Sequence, residues 1–223
     1  MKQTAITFTN VTHLLLRKVL GILGITLPFI LIFGNNLKVE SSISHFYYSR
    51  MSVFFTGILC AYGLFLFSYR GYEKKEKGEK LSDNWLTNIA GILILLTAII
   101  PTANADHVCD APFSHNSQLF DTFHLIFAAG FFFIMGWMAI YKFTKSDTEI
   151  KKSDSEIRLK DKRNRIYRIC GWGVWISLVF LAIDLIFNLN LTGADVFIGE
   201  TAALLFFGTA WLVKSKALKN MGL

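Results

Sequence analysis

Charged residues and prolines are scarce in this chain. Lys, Arg, Asp and Glu make up 17% of the 223 residues, whereas a soluble domain carries about 25% charged residues. Proline occurs only three times, while hydrophobic residues reach 53% and phenylalanine alone occurs 21 times. This balance argues against a soluble core and predicts a polytopic helical membrane protein.

Cysteine is also scarce, and several familiar motifs are missing. Cys60 and Cys170 fall in or beside apolar runs, so Cys109 is expected to have no disulfide partner. The sequence contains no glycine-rich phosphate loop, paired CxxC or HExxH motif. It also lacks the internal repeat that marks many transporters. We expect no cleavable signal peptide, because the first apolar run is long and no small-residue cleavage site follows it.

Six apolar runs approach the length of about 20 residues that a helix needs to cross a bilayer. They cover roughly residues 14–34, 47–69, 85–102, 119–143, 167–187 and 196–214. The sequence therefore predicts an all-α fold, a bundle of six transmembrane helices that forms one transmembrane domain over residues 1–223.

The basic residues predict how this bundle is oriented. Every lysine and arginine except Lys38 and Arg50 falls on the side of the N-terminus, the second and fourth connections and the C-terminal tail. Because lysine and arginine concentrate in cytoplasmic loops, both termini are expected in the cytoplasm, in a bacterial cytoplasmic (inner) membrane. The net charge of +7 lies in short loops between apolar runs, so we expect contact with membrane lipids and not with nucleic acid.

The fourth connection differs from the others in being long and highly charged. Its sequence is TKSDTEIKKSDSEIRLKDKRNR. We expect a mobile or partly helical cytoplasmic loop that touches anionic lipid headgroups, with an ordinary solvated loop as the alternative.

Titratable residues gather on the opposite, outer side. Four of the five histidines lie at this level, as do six acids: His45, His107, His115, His124, Asp106, Asp110, Asp121, Asp184, Asp195 and Glu200. Asp184 and Glu200 stand inside apolar runs, each about one turn and roughly 5–6 Å below the outer end of its span. A lone carboxylate at that depth is costly unless it is paired, protonated or bound to a cation. We therefore predict that both are catalytic residues.

Arg50 is the predicted partner of these carboxylates. It lies about one turn inside the second span, on the side that lysine and arginine avoid. An ion pair with Asp184 or Glu200 would offset its burial, either to lock the bundle or to place Arg50 as a third catalytic residue that holds a headgroup. The stretch before it supplies predicted substrate-binding residues, namely Ser41, Tyr47 and Tyr48.

A possible metal site comes from the fourth span. Ser117, Asp121 and His124 follow each other at i, i+4 and i+7, which places them on one helix face. The aspartate can bind a metal directly, or it can orient the imidazole that does. Together with His45, these residues give a predicted ligand set of His45, His124 and Asp121. Such ligands suit zinc with an open position for water, which zinc turns into a nucleophile.

Several segments resemble known families. SISHFYYSRMSVFFTGILCAYGLFLFSYRGYEK, NIAGILILLTAIIPT, FHLIFAAGFFF and ETAALLFFGTAWLVKS resemble uncharacterised six-span bacterial integral membrane proteins. That resemblance covers the chain from about Ser41 onward and implies the six-span fold, but no activity.

A fainter similarity points to the membrane hydrolases that include alkaline ceramidases and adiponectin-receptor-like proteins, which bind zinc through Ser, Asp and His at one membrane face. It implies comparable parts for Ser41, His45 and His124. That group has seven spans and an HxxxH pair on its last helix, where this chain has six predicted spans and Glu200.

Three classes of function follow from these observations. The sharpest is a metal-dependent hydrolase that acts on a lipid or an amide at the outer face. The second is a proton-coupled carrier of small molecules, in which Asp184 and Glu200 take up and release protons. The third is a non-enzymatic membrane scaffold or binding protein, in which the polar groups only tie helices together.

Overall fold

The chain folds into a bundle of helices. The computed structural model describes residues 2–69, 71, 81–103, 113–145, 153–189 and 191–217, with side chains from residue 12 onward. All regular structure in these ranges is helical, which confirms the all-α fold class. The helices are α1 (Lys2–Gly34), α2 (Ser52–Ser68), α3 (Asp83–Ile99), α4 (Gln118–Trp137), α5 (Asp154–Phe187) and α6 (Asp195–Lys214). A 3₁₀ helix (Ser44–Tyr48) precedes α2, and a π-helix (Met138–Lys142) continues α4.

Each predicted span contains a helix, but the helices differ in length. Four of them are long and apolar enough to cross a membrane: α1, α4 with its π-helix, α5 and α6. The other two, α2 and α3, are apolar but have 17 residues each. At 1.5 Å per residue they reach about 26 Å, slightly less than the hydrocarbon thickness of about 30 Å.

Local capping chemistry explains where two helices begin. The Ser153 side chain accepts a hydrogen bond from the Glu156 backbone, and the Glu156 side chain accepts one from the Ser153 backbone, so a capping box starts α5. Because of this cap, α5 begins well before the apolar run and includes much of the charged fourth connection. The prediction of a partly helical segment is thus confirmed for the described residues. Ser82 caps α3 in a similar way by accepting from the Trp85 backbone N–H.

The helices pack mainly against their neighbours in the chain, and α1 closes the bundle against α6. Glycine pairs allow close approach at three of these contacts. A Cβ atom on Gly208 of α6 would lie 2.7 Å from the carbonyl oxygen of Gly21 in α1. Gly63 with Gly91 and Gly136 with Gly171 bring their helices together in the same way. Close contact through small residues is the usual packing device of membrane helices.

The outer surface of the bundle is strongly apolar. Phe33 and Ile186 are each 70% exposed and Val53 is 80% exposed, although all three belong to apolar helices. Exposure of such an apolar surface to water is unfavourable, whereas contact with the hydrocarbon chains of lipids is not. The exposed faces therefore support integration into a membrane.

Polar groups concentrate at the two ends of this apolar body. We call one the histidine end, formed by residues 35–51, 100–103 and the first turns of α4 and α6. The other is the lysine end, formed by residues 69, 71 and 81–87, the π-helix and the last turn of α6. Successive helices run between the two ends in alternating directions.

The lysine end buries its charges in paired form. Lys142 Nζ lies 3.4 Å from Asp83 Oδ1, with both side chains 5% exposed, and donates to the Leu81 carbonyl at 2.6 Å. Lys214 donates to the Phe143 carbonyl at 3.2 Å and lies over the Phe143 and Tyr167 rings.

Candidate functional site

The segment between α1 and α2 is fixed onto the first turns of α6. The backbone N–H of Phe197 donates to the Ser41 carbonyl at 3.0 Å, and the N–H of Ile43 donates to Glu200 Oε2 at 2.5 Å. The first turn of a helix has N–H groups without intrahelical partners, so the Ser41 carbonyl satisfies one of them. This docking buries the 3₁₀ helix and places Ser44 inside the bundle.

Ser44 and His124 form a buried hydrogen-bonded pair. Ser44 Oγ lies 2.8 Å from His124 Nε2, and His124 Nδ1 lies 2.6 Å from the Ile100 carbonyl oxygen. A carbonyl can only accept, so Nδ1 carries a proton, and in the neutral imidazole Nε2 must then accept. The Ser44 hydroxyl therefore donates to His124. A nucleophilic hydroxyl that donates to an oriented imidazole is the arrangement of a serine activated by a general base.

Glu200 lies on the other side of Ser44. Its carboxyl group faces the backbone N–H and the hydroxyl of Ser44 in addition to the Ile43 N–H. The Ser44 hydroxyl is thus held between an imidazole and a carboxyl group. The three side chains come from α4, α6 and the 3₁₀ helix. Their contacts therefore depend on the docking of the segment between α1 and α2 onto α6.

Asp121 supports this arrangement from one turn before His124 on α4. Its Oδ1 accepts from the Thr102 hydroxyl at 2.7 Å and from the Ala103 N–H at 3.0 Å. Tyr48 adds a second tie to the same segment, because its hydroxyl donates to the Thr102 carbonyl at 2.6 Å. These contacts fix the end of α3, where the Ile100 carbonyl meets His124. Asp121 is therefore a positioning residue for the pair.

A small cavity of about 40 Å³ adjoins Ser44 and Glu200. A cavity needs roughly 10–15 Å³ to contain one water molecule. This cavity therefore has room for about three waters or for the carbonyl end of a larger molecule. Most of the remaining lining is apolar and comes from α1, α2, α3, α4 and α6.

One polar group of the cavity wall has no partner. Tyr62 of α2 is 1% exposed, and its hydroxyl makes no hydrogen bond within the described part of the chain. Leaving a buried donor unsatisfied costs about 1–3 kcal/mol. The α2 helix starts at the histidine end, and side chains tilt towards a helix N-terminus, so the Tyr62 side chain tilts towards that end of the bundle.

The predicted substrate-binding residues have mostly internal contacts. Ser41 Oγ lies 3.0 Å from His45 Nδ1. Tyr47 and Tyr48 are each 5% exposed and pack edge to face, with ring centroids 5.2 Å apart. These two tyrosines lie in the protein core rather than on a surface that a substrate can reach.

The predicted partnership of Arg50 is wrong. Helix α2 starts only at Ser52, because residues 44–48 form a separate 3₁₀ helix. Arg50 therefore lies outside α2, is exposed, and donates to Asn36 Oδ1 at 3.2 Å. Asp184 is buried at 9% exposure on α5, and its Oδ1 has no hydrogen-bond partner within the described ranges.

The predicted zinc ligands do not form a ligand set. Both ring nitrogens of His124 contact Ile100 and Ser44, whereas His45 Nδ1 faces Ser41 and Ser42. Asp121 is engaged with Thr102 and Ala103. In the part of the chain that the structure describes, no three His, Cys, Asp or Glu side chains are grouped to hold a metal ion. His107, Asp106, Asp110 and Cys109 lie outside the described residues.

Three members of the observed site carry little or no signal in the sequence. Ser44 is one of four serines in SSISHFYYS, and nothing in that pattern distinguishes it. Tyr62 is a single hydroxyl in the apolar run VFFTGILCAYGLFLF, where it could have been noticed as a polar group at depth. The third, the Ile100 carbonyl, is a backbone group and is invisible to any analysis of residue types.

Comparison of the chain with protein-family models, curated proteins and solved structures finds no match. The resemblances drawn from the sequence therefore remain predictions.

Proposed function

We propose that the chain is an integral protein of the bacterial cytoplasmic membrane with six spans and both termini in the cytoplasm. The distribution of lysine and arginine supports this orientation, and four long apolar helices with exposed apolar faces support membrane insertion. In this orientation the histidine end faces outward. The two short helices cross the membrane with the polar segments at their ends in the headgroup region.

Cysteine accessibility tests the orientation. Single cysteines are introduced as Thr192→Cys, at the histidine end, and Ser155→Cys, at the start of α5, into a chain whose own cysteines are replaced by serine. An impermeant maleimide should label Thr192→Cys in intact cells and Ser155→Cys only after lysis. Labelling of Ser155→Cys in intact cells would reverse the orientation.

For the activity, we propose a membrane hydrolase that cleaves an ester or amide of a lipid at the outer face. The observation that carries this proposal is the buried Ser44–His124 pair, with Nδ1 of His124 fixed on the Ile100 carbonyl. Ser44 is the nucleophile and His124 is the general base. The chemistry of this pair replaces that of the zinc-bound water expected from the sequence.

The reaction would proceed in two half-reactions. Ser44 Oγ attacks the carbonyl carbon and forms a C–O bond while its proton passes to His124 Nε2. Collapse of the tetrahedral intermediate breaks the bond to the leaving alcohol or amine, which takes that proton from His124. Water activated by His124 then hydrolyses the acyl-serine. Glu200, when ionised, offsets the positive charge that forms on the imidazole.

The cavity restricts how a lipid can bind. Its volume of about 40 Å³ fits the carbonyl end of an acyl group and not a whole lipid. The apolar walls of the cavity suit the carbon atoms of an acyl chain. The polar leaving group then lies towards the segment between α1 and α2.

Covalent labelling tests the nucleophile. A fluorophosphonate probe should react with Ser44, forming a P–O bond and releasing fluoride while the serine proton passes to His124. Ser44→Ala should abolish the labelling. The matched control is Ser49→Ala, because Ser49 caps the end of the same 3₁₀ helix, and its hydroxyl donates to the Phe46 carbonyl at 2.8 Å and accepts from the Met51 N–H at 3.1 Å. Wild-type protein that takes up no probe, in detergent or in membranes, would contradict the hydrolase.

The proton-coupled carrier is a second candidate, favoured by the size of the cavity. A space for about three water molecules beside the Glu200 carboxyl group suits a proton or a small hydrated solute. Proton flux in proteoliposomes that is lost in Glu200→Gln, without any probe labelling, would support it. If neither labelling nor flux occurs, the third class of function, a non-enzymatic scaffold, gains support.

A further inference from the structure

One buried hydroxyl in the wall of the cavity that adjoins the proposed nucleophile has no hydrogen-bond partner in the described ranges. Tyr62 is 1% exposed, lines the same cavity as Ser44 and Glu200, and donates to no acceptor in the described ranges. The other threonine and serine hydroxyls at this cavity behave differently: Thr97 donates to the Leu93 carbonyl at 2.9 Å, and Ser44 contacts His124. A free donor in this wall therefore remains available to a molecule that enters the cavity.

The Tyr62 ring is held rigidly by its neighbours. It packs edge to face on Phe207 of α6, with ring centroids 5.6 Å apart, and Phe207 in turn contacts Phe131 of α4 at 5.7 Å. A fixed ring keeps its hydroxyl in a fixed direction. Donors that are oriented in advance in a dry site stabilise developing charge most effectively, because nothing needs to reorganise during the reaction.

We propose that Tyr62 is the oxyanion donor of this site and that the substrate is an acyl ester or amide whose carbonyl group enters the cavity. This inference rests on the proposed acyl transfer by Ser44. As Ser44 Oγ bonds to the carbonyl carbon, the π electrons of the carbonyl move onto its oxygen. The Tyr62 hydroxyl donates a hydrogen bond to that oxygen and keeps its own proton, while the serine proton goes to His124.

Tyr62→Phe isolates the role of the hydroxyl. The variant keeps the ring packing and removes only an unpaired polar group, so its melting temperature in detergent should be unchanged or higher. The rate of Ser44 labelling by the fluorophosphonate, and kcat/KM for p-nitrophenyl butyrate, should fall about 100-fold, mainly through kcat. The matched control is Tyr69→Phe, since Tyr69 follows α2 two turns later and contacts Trp211 and Arg17 at the lysine end; its rates should stay within twofold of wild type.

The outcomes separate the two proposals. If wild-type Ser44 is not labelled, the hydrolase and the oxyanion donor are both overturned. If wild-type Ser44 is labelled and Tyr62→Phe reacts at the same rate, the hydrolase stands and the oxyanion donor is overturned. Should Tyr62→Phe not fold, 3-fluorotyrosine at position 62 preserves the shape and makes the hydroxyl a stronger donor; an unchanged labelling rate would then overturn the proposal.

Discussion

The two ends of the bundle bury polar groups in opposite ways. At the lysine end, Lys142 pairs with Asp83 and also donates to the Leu81 carbonyl. At the histidine end, Ser44, His124 and Glu200 are joined by hydrogen bonds, but no buried cation compensates the carboxyl group within the described residues. The first arrangement neutralises charge, whereas the second leaves polar groups available beside a cavity.

The distribution of unsatisfied atoms sharpens this contrast. Asp184 and Thr201, which lie towards the histidine end, and Tyr62, near the middle of α2, each have a buried polar atom without a hydrogen-bond partner in the described ranges. At the lysine end, Arg17 Nε is also buried without a hydrogen-bond partner in the described ranges. The Arg17 guanidinium, however, lies over the Tyr69 ring, 5.2 Å from its centroid. Unpaired polar groups reduce stability, and they persist where they serve a function. The comparison thus supports a structural role for the lysine end and agrees with the chemical role proposed for the histidine end.

The largest expected effect comes from breaking the ion pair of the lysine end. Lys142→Met removes the cation that lies 3.4 Å from Asp83 Oδ1, and removal of one partner of a buried pair costs about 3–5 kcal/mol. We expect a large fall in the melting temperature in detergent. Ser44 labelling should persist in the protein that remains folded, because the two ends are separated by the length of the helices.

A double variant provides the control for that prediction. Replacing both partners, as Lys142→Met with Asp83→Ala, removes the uncompensated charge and should recover part of the lost stability. If the double variant is as unstable as the sum of the single ones, the pair is not the structural lock described here.

The sequence predicts the apolar helices and the titratable side chains inside them, but not the groups whose role depends on tertiary contacts. The long apolar runs predict the helices, since the length of an apolar run is set by the membrane. His124 and Glu200 are also predictable, because a titratable side chain inside such a run is costly and therefore conspicuous. Arg50 was assigned wrongly because the helix start moved by a few residues, and a shift of that size turns a residue inside a span into an exposed one.

The remaining members of the site depend on tertiary contacts that no local pattern encodes. Ser44 reaches His124 because hydrogen bonds to Phe197 and Glu200 hold the segment between α1 and α2 against α6. The Ile100 carbonyl is available because α3 ends there, and Asp121 fixes the following residues. Zinc was expected because His and Asp share a helix face, but each of these side chains is engaged by a neighbour that the sequence did not reveal.

The smaller effect on stability is expected at the histidine end. Glu200→Gln keeps an oxygen that can accept from the Ile43 N–H but loses the negative charge, so the free energy of unfolding should fall by only about 1 kcal/mol. The rate of Ser44 labelling should fall at least tenfold, because the charged carboxylate that faces the Ser44 hydroxyl is then replaced by a neutral amide. Thermal unfolding and labelling kinetics on the same preparation measure both quantities.

Glu40→Gln is the appropriate comparison for Glu200→Gln. Glu40 lies on the segment between α1 and α2, with its Oε1 atom 3.3 Å from Nζ of the exposed Lys38, and it also accepts from the Asn35 side chain at 3.0 Å. Surface pairs of this kind contribute about 0–1 kcal/mol, so the two variants should lose similar stability while only Glu200→Gln loses reactivity. If both variants keep the wild-type labelling rate, Glu200 serves only to dock Ile43 and Ser44, and the histidine end would then resemble the lysine end in being a structural tie.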